Sequence, residues 1–227
     1  MKKQPINNLF PVLIAAVAML LLSACSKDDT DAPRIDSVWM NMVSRPVEQV
    51  VCAYPGQTIC LRGDHLGDVR RIIVNGTDIN LNTLYVYESA TALTFQLPSD
   101  VNTTGDNIRV VTKWGMCDYA FIIRPATEKP TITSFSATTL TPGRILTITG
   151  TNLTGAKEVW LPLAFNGRVQ CELDTEQESG GTTVRVIIPD DVDFATGQCE
   201  IIMEKNDAVR GITYTEKVYS ASTDFRN

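Results

Sequence analysis

The chain has 227 residues, of which 20 are basic and 26 acidic, so its net charge at pH 7 is −6. An acidic chain lacks the basic patch that nucleic-acid phosphates require, and charge does not draw it to an anionic membrane. It has a single histidine and no Cys-x-x-Cys spacing, which argues against a zinc site.

The first 24 residues have the features of an export signal. Lys2 and Lys3 precede an apolar stretch at 9–22, which is shorter than the roughly 20 residues of a transmembrane helix. The stretch ends in Leu-Ser-Ala-Cys at 22–25, which resembles the lipobox of bacterial lipoproteins. This resemblance implies cleavage before Cys25 and acylation of its thiol. The alternative is an ordinary secreted protein in which this cysteine is coincidental.

Residues 25–32 are predicted to be a short tether. The sequence Ser-Lys-Asp-Asp at 26–29 resembles the signal that sends lipoproteins of the Bacteroides group to the outer face of the outer membrane. The alternative is a solvated linker of the same composition. Loss of Lys2 and Lys3 with the leader would leave 18 basic and 26 acidic residues, a net charge of −8, so the lipid alone would hold the protein on the membrane.

Two stretches of the mature chain repeat each other, YPGQTICLRGDHLGDVRRIIVNG at 54–76 and TPGRILTITGTNLTGAKEVWLPLAFNG at 141–167. The offset between them is 87 residues at the start and 91 at the end, so the second copy carries four extra residues near LPLA. Each copy contains two glycines seven residues apart, namely Gly56 and Gly63 in the first and Gly143 and Gly150 in the second.

The repeat predicts two domains, at 33–128 and 129–227, joined by the proline-containing linker RPATEKP at 124–130. APRIDSV and KPTITSF open the two copies. Within each copy, apolar residues alternate with polar ones, as in QTICLRG and RILTITG, and no stretch after the leader has helical periodicity. Short alternating strands separated by turn residues predict an all-β chain of two sandwiches.

The motifs P-x-I-x-S-F and T-P-G-x-x-L-T-I-T-G-T-N-L resemble the IPT/TIG domain, an immunoglobulin-like fold. The second copy resembles it well from Pro130 to about Tyr219, and the first copy is divergent. In this interpretation Gly56 and Gly143 turn the chain, whereas Gly63 and Gly150 end strands where a side chain would crowd.

Five cysteines follow Cys25, so at least one must be free or paired between chains. Cys171 and Cys199 are candidates for one disulfide, and Cys52 and Cys60, which flank a turn, for another. The alternative for each pair is that the cysteines are small buried hydrophobic residues.

The sequence contains no catalytic motif, and we expect no enzyme activity, metal or cofactor. It lacks the GxSxG, HExxH and glycine-rich phosphate motifs. His65 is expected to be a surface residue of a turn. The acidic stretch PDDVD at 189–193 could hold calcium, but a solvated turn is favoured because the first copy has PSDVN there.

Five aromatic residues are candidate ligand contacts, because sugar binding needs flat exposed rings beside hydrogen-bonding groups. Tyr85 and Tyr87 alternate along one segment, and Trp160 lies between two inward candidates, Val159 and Leu161. The two further candidates are Trp39 and Trp114. The alternative for each is packing in the core, against the other domain or against a partner.

The resemblance to surface lipoproteins of the Bacteroides group implies a non-catalytic protein that binds a glycan or assists an outer-membrane polysaccharide uptake system. Its partners would be a TonB-dependent transporter and the lid lipoprotein of that transporter. The alternative is an interaction, structural or adhesion module without a small ligand. An exposed aromatic platform would favour glycan binding, and a broad apolar patch would favour protein docking.

Overall fold

A computed structural model describes residues 31–40, 48–177, 180–208 and 210–227. The predicted leader, the lipidation site Cys25 and most of the tether lie outside these residues. Within the described part of the chain, no helix is long and apolar enough to cross a membrane.

The first half of the chain forms two β-sheets that face each other. Its strands are β1 (Arg34–Met40), β2 (Glu48–Gln49), β3 (Cys52–Ala53), β4 (Thr58–Asp64), β5 (Val69–Val74), β6 (Thr77–Asp78), β7 (Tyr85–Glu88), β8 (Ala92–Gln96), β9 (Asn107–Thr112), β10 (Met116–Ala120) and β11 (Ile122–Ile123). One sheet has the order β2-β1-β4-β8-β7, the other β10-β9-β5-β6, and β11 pairs in parallel with β3. The core includes Ile59 and Leu61 from the first sheet and Ile72 and Val110 from the second.

The second half also consists of strands around a core of its own, but its main strands form one continuous seven-stranded sheet. A 3-10 helix, Ala126–Glu128, precedes it and another, Ala164–Asn166, lies within it. Its strands are β12 (Thr131–Phe135), β13 (Ile145–Thr151), β14 (Ala156–Pro162), β15 (Arg168–Leu173), β16 (Thr183–Ile187), β17 (Thr196–Gly197), β18 (Glu200–Asp207), β19 (Ile212–Tyr219) and β20 (Thr223–Asp224). The long sheet has the order β12-β13-β16-β15-β14-β18-β19, and β17 pairs with β20.

The all-β prediction is confirmed. The buried apolar residues form two clusters, one within 35–123 and the other within 140–225. The predicted boundary at residue 129 falls between these clusters.

The repeat has a structural counterpart in the first strand of each half. The pairing of β1 with β4 shifts register between Ile35 and Ser37, and that of β12 with β13 shifts between Ile132 and Ser134. These positions correspond in the two copies, so both halves carry the same bulge.

The glycine spacing that the two copies share follows from close backbone contacts and turns. A Cβ atom on Gly63 would lie 1.9 Å from the Arg34 carbonyl oxygen, and one on Gly150 would lie 1.9 Å from that of Thr131. Gly143, in the turn before β13, has a φ of 71°, a conformation that favours glycine.

The strand β19 ends its sheet, and residues of the first half contact it along its length. The Tyr54 hydroxyl donates to Glu216 Oε1 (2.6 Å), and the Tyr219 hydroxyl donates to Glu48 Oε2 (3.0 Å). Near the other end of the strand, Arg210 Nη2 donates to the Gly105 carbonyl (2.7 Å). These side-chain contacts join the two halves of the chain beside the edge strand β19.

A buried carboxylate lies beside this junction. The Asp207 side chain is only 1% exposed, and its Oδ2 lies 2.7 Å from Arg210 Nη1 and 3.7 Å from Arg124 Nη2. Burial opposes ionisation, but the hydrogen bonds from Arg210 and the charges of both arginines hold the pKa of Asp207 below its usual value.

The candidate cysteine pairs do not form disulfides in the structure, where Cys60, Cys171 and Cys199 are free thiols. Cys171 in β15 and Cys199, just before β18, lie on opposite sides of β14. The two cysteines are therefore separated by two strand spacings of about 4.8 Å each. This distance exceeds the Cα separation of about 7 Å that a disulfide allows. Cys60 lies on β4, and Cys52 is buried on β3 in a different sheet.

Candidate ligand-binding face

Trp160 lies on the outer face of the long sheet because β14 alternates. Its neighbours Val159 and Leu161 are fully buried, whereas Trp160 is half-buried. The side chains of adjacent strand residues point to opposite faces, so the indole lies on the solvent side.

Strand pairing places polar side chains on both sides of this indole. Trp160 is opposite Gln170 of β15 and opposite Glu200 of β18, and Glu200 is in turn opposite Tyr219 of β19. Directly opposed residues share a face of the sheet. The row Gln170–Trp160–Glu200–Tyr219 therefore crosses four strands, and we call it the Trp160 face.

The indole is held by a hydrogen bond from its Nε1 to Glu158 Oε2 at 2.9 Å. Glu158 lies two residues earlier on β14, so it shares the outer face. This contact fixes the ring orientation, and the exposed Gln170 amide beside it has donor and acceptor groups available.

Cationic and phenolic groups surround Glu200, whose side chain is 6% exposed. Arg168 of β15 pairs with it across β14, and Lys217 Nζ lies 3.3 Å from its Oε1. The single Tyr219 hydroxyl hydrogen is shared between Glu48 Oε2 and this oxygen of Glu200, which is 3.2 Å from the hydroxyl. Burial raises the pKa of Tyr219, and the carboxylates of Glu200 and Glu48 raise it further. Tyr219 therefore remains a protonated donor at neutral pH.

The Trp160 face has the chemistry that a neutral sugar requires. An indole presents a flat apolar surface to the C–H face of a pyranose, and amide or guanidinium groups bind its hydroxyls. Gln170 is exposed on the same face, whereas Arg168 there is engaged by Glu200.

Trp39 lies on the outer face of the first-half sheet, in β1. Its Nε1 donates to Ser37 Oγ at 2.9 Å, and the Arg62 guanidinium carbon lies 4.1 Å from its ring centroid. Cys60 is opposite Trp39 in the sheet. Because Arg62 stacks on the indole, one face of the Trp39 ring is covered and less of it can contact a ligand.

Tyr85 and Tyr87 lie in β7, at the edge of the same sheet as Trp39. Their Cα partners on β8 are Phe95 and Thr94, and the register shifts between the two tyrosines. Their side chains lie outside the described part of the structure, so the prediction that both face solvent stays a prediction.

Trp114 lies between β9 and β10, and Lys113 Nζ is 4.4 Å from its ring centroid. It is partly exposed and lies on the first-half sheet that contains β9 and β10, whereas Trp160 lies on the second-half sheet. Among the described residues, no group of three or more His, Cys, Asp or Glu side chains could hold a metal ion, including those of 189–193.

Sequence reasoning missed the polar partners of Trp160 and one exposed aromatic residue. Alternation along β15 could have assigned Gln170 and Arg168 to one face, but their pairing with β14 could not be read from the sequence. Phe165 directly follows LPLA, near which the four extra residues lie, and this was the available signal; its side chain is fully exposed.

Solved structures that resemble the chain include surface glycan-binding proteins. One, from Prevotella bryantii, is 18% identical with a TM-score of 0.36, and the match covers 86% of this chain and 41% of that one. Another comes from the mixed-linkage glucan utilization locus of Bacteroides ovatus and contains a mixed-linkage heptasaccharide. It is 21% identical with a TM-score of 0.32, and the match covers 78% of this chain and 45% of that one.

A curated relative from Bacteroides ovatus is described as an IPT/TIG domain-containing protein. It is 28% identical over 164 residues, which are 68% of this chain but only 32% of the relative. This chain thus spans about a third of the relative's length. Residues 130–221 match the family model of the IPT/TIG domain, and with the β-sheet structure described above they identify the second half of the chain as an IPT/TIG domain of the immunoglobulin-like fold.

Proposed function

We propose that the protein is a non-catalytic cell-surface lipoprotein that binds a glycan for an outer-membrane polysaccharide uptake system. The observation that carries this proposal is the Trp160 face, where a fixed, half-buried indole lies between polar side chains on an outer sheet surface.

The arrangement favours a neutral glycan over a charged one. Glu200 is already surrounded by Arg168, Lys217 and Tyr219, so its charge is compensated within the protein. The groups left available are the indole and the exposed Gln170 amide, which suit C–H surfaces and hydroxyls.

Glycan binding is tested by affinity electrophoresis of the full-length protein in detergent, with a panel of neutral polysaccharides cast into the gel. We expect at least one polysaccharide to retard the protein, and Trp160→Ala to weaken the retardation about tenfold, because stacking aromatics dominate such contacts. Trp114→Ala is the matched control and should migrate as the unmodified protein. Equal retardation of the Trp160→Ala and Trp114→Ala variants would contradict the assignment.

The surface location depends on the lipobox resemblance at Cys25. We expect Cys25→Ala to leave the membrane fraction, because acylation of that thiol would be the only anchor. The check is fractionation of cells, with a variant of a half-buried cysteine, Cys60→Ala, as the control that should stay in the membrane. A Cys25→Ala protein that still pellets with the membrane would exclude the lipid anchor.

The accessory role implies a TonB-dependent transporter and its lid lipoprotein as partners. Gentle detergent extraction of the tagged, lipidated protein should co-purify such a transporter in stoichiometric amount. Recovery of the protein alone would favour an independent glycan binder on the cell surface.

A further inference from the structure

The loop between β14 and β15, residues 163–167, carries an aromatic side chain that the fold does not use. Phe165 has a relative exposure of 101%. Phe165 has a φ of 61°, a left-handed conformation that is unfavourable for a bulky L residue. The first half of the chain lacks this insertion, so the sandwich does not require it. Strained backbone that persists at a solvent-exposed residue is typical of a functional position.

Backbone contacts hold this loop in place. Leu163 forms a β-bridge with Phe194, the Ala164 N–H donates to the Asp193 carbonyl at 3.0 Å, and the Leu163 N–H donates to the Gly167 carbonyl at 2.9 Å. The Asn227 side chain donates to the Val192 carbonyl at 2.8 Å and so fixes the neighbouring segment. The phenyl ring is therefore presented in a preorganised loop, which lowers the entropic cost of binding.

The surface that adjoins the loop is acidic. Asp190, Asp191 and Asp193 are exposed in the segment to which the loop is bound. Among the adjoining cations, Arg168 is engaged by Glu200, whereas Arg144 and Arg226 are exposed on neighbouring segments. The three exposed aspartates outnumber these two arginines. An excess of carboxylates repels anionic lipid and nucleic acid. A phenyl ring also has no polar atom with which to orient a sugar.

We propose that the Phe165 loop docks a protein partner, with the phenyl ring inserted into an apolar pocket that lysine or arginine side chains border. An aromatic anchor at the centre and complementary charge at the rim is the usual organisation of such interfaces. This proposal does not depend on glycan binding at the Trp160 face.

The first experiment places the photo-crosslinker p-benzoylphenylalanine at residue 165 of the full-length, lipidated protein in intact cells of its source bacterium. Met116, which is 62% exposed on β10, is the control position. We expect a single protein adduct at 165 that is absent at 116. We expect much less adduct from a protein that carries the crosslinker at 165 together with Asp190→Lys and Asp193→Lys, because these substitutions reverse the charges around the phenyl ring.

The second experiment measures binding of the purified crosslinked protein to unmodified, Phe165→Ala and Met116→Ala forms. We expect Phe165→Ala to bind at least about tenfold more weakly, Met116→Ala to bind as the unmodified protein does, and both to keep the thermal midpoint of the unmodified protein. Adducts at 165 with glycan, lipid or a second copy of this chain would overturn the proposal. No adduct, or equal binding by Phe165→Ala, would overturn it as well.

Discussion

Cys171 and Cys199 show that the surroundings of a side chain, rather than its spacing in the sequence, determine its chemistry. Burial raises the pKa of the Cys171 thiol to about 12, and burial, with Cys171 and Glu200 as further contributors, raises that of Cys199. Because the thiolate is the reactive form, both cysteines should be inert in the folded protein.

We therefore expect iodoacetamide at pH 8 to leave Cys171 and Cys199 unmodified in the native protein and to label both once urea unfolds it. The half-buried Cys60 is the internal comparison and should react first. Mass spectrometry of the labelled peptides provides the measurement. If both residues remained unlabelled after unfolding without reductant, a disulfide would join them, and the strand order around β14 would have to differ.

At the scale of single elements, the two glycines of the second copy are needed for different physical reasons. Gly150 ends β13 against the Thr131 carbonyl, whereas a Cβ on Gly143 would meet no atom within 4 Å and would conflict only with its φ of 71°. The first position is limited by space and the second by backbone conformation.

We expect Gly150→Ala to lower the free energy of unfolding by about 3 kcal/mol, since a backbone atom 1.9 Å away must move. Gly143→Ala should cost about 1 kcal/mol, the usual penalty for a left-handed alanine. Urea unfolding curves of the two variants give the comparison. Equal losses would show that the contact with Thr131 relaxes without cost.

Local sequence patterns predicted much of the fold, because strand alternation and turn glycines act over a few residues. The alternating strands of both halves and the crowding at Gly63 and Gly150 follow from such patterns. The surroundings of Trp160 could not be predicted in the same way. Glu200 and Tyr219 reach this indole only through the pairing of β14, β18 and β19, which is a property of the whole sheet.

At the scale of the whole molecule, polar side chains join the first half to β18 and β19, and Asp207 is the most buried carboxylate among them. Its folded-state pKa is depressed. It therefore stabilises the fold above its unfolded pKa of about 3.9, and this contribution is lost as the pH falls through the lower folded value.

We expect Asp207→Asn to destabilise the protein by about 3 kcal/mol at pH 7, because it leaves two arginines without their buried counter-charge. The difference from the unmodified protein should shrink below about pH 4, as the native Asp207 becomes protonated. Thermal unfolding from pH 7 to pH 2 measures this trend.

Asp118→Asn is the control for this experiment, because Asp118 pairs with Arg109 on a half-exposed surface. Its effect at pH 7 should be much smaller. A difference between the Asp207→Asn variant and the unmodified protein that stayed constant with pH would mean that the Asp207 charge does not stabilise the junction.

The most direct test of the glycan-binding account is the fluorescence of a protein that retains Trp160 as its only tryptophan, made by Trp39→Phe and Trp114→Phe. It is titrated with oligosaccharides of the polysaccharide that retards the protein in the affinity gel. We predict a saturable blue shift, because a sugar stacked on the indole excludes water from it, and no shift in a protein that retains only Trp114. An unchanged Trp160 emission while the glycan binds, or no binding to any polysaccharide, would contradict the account.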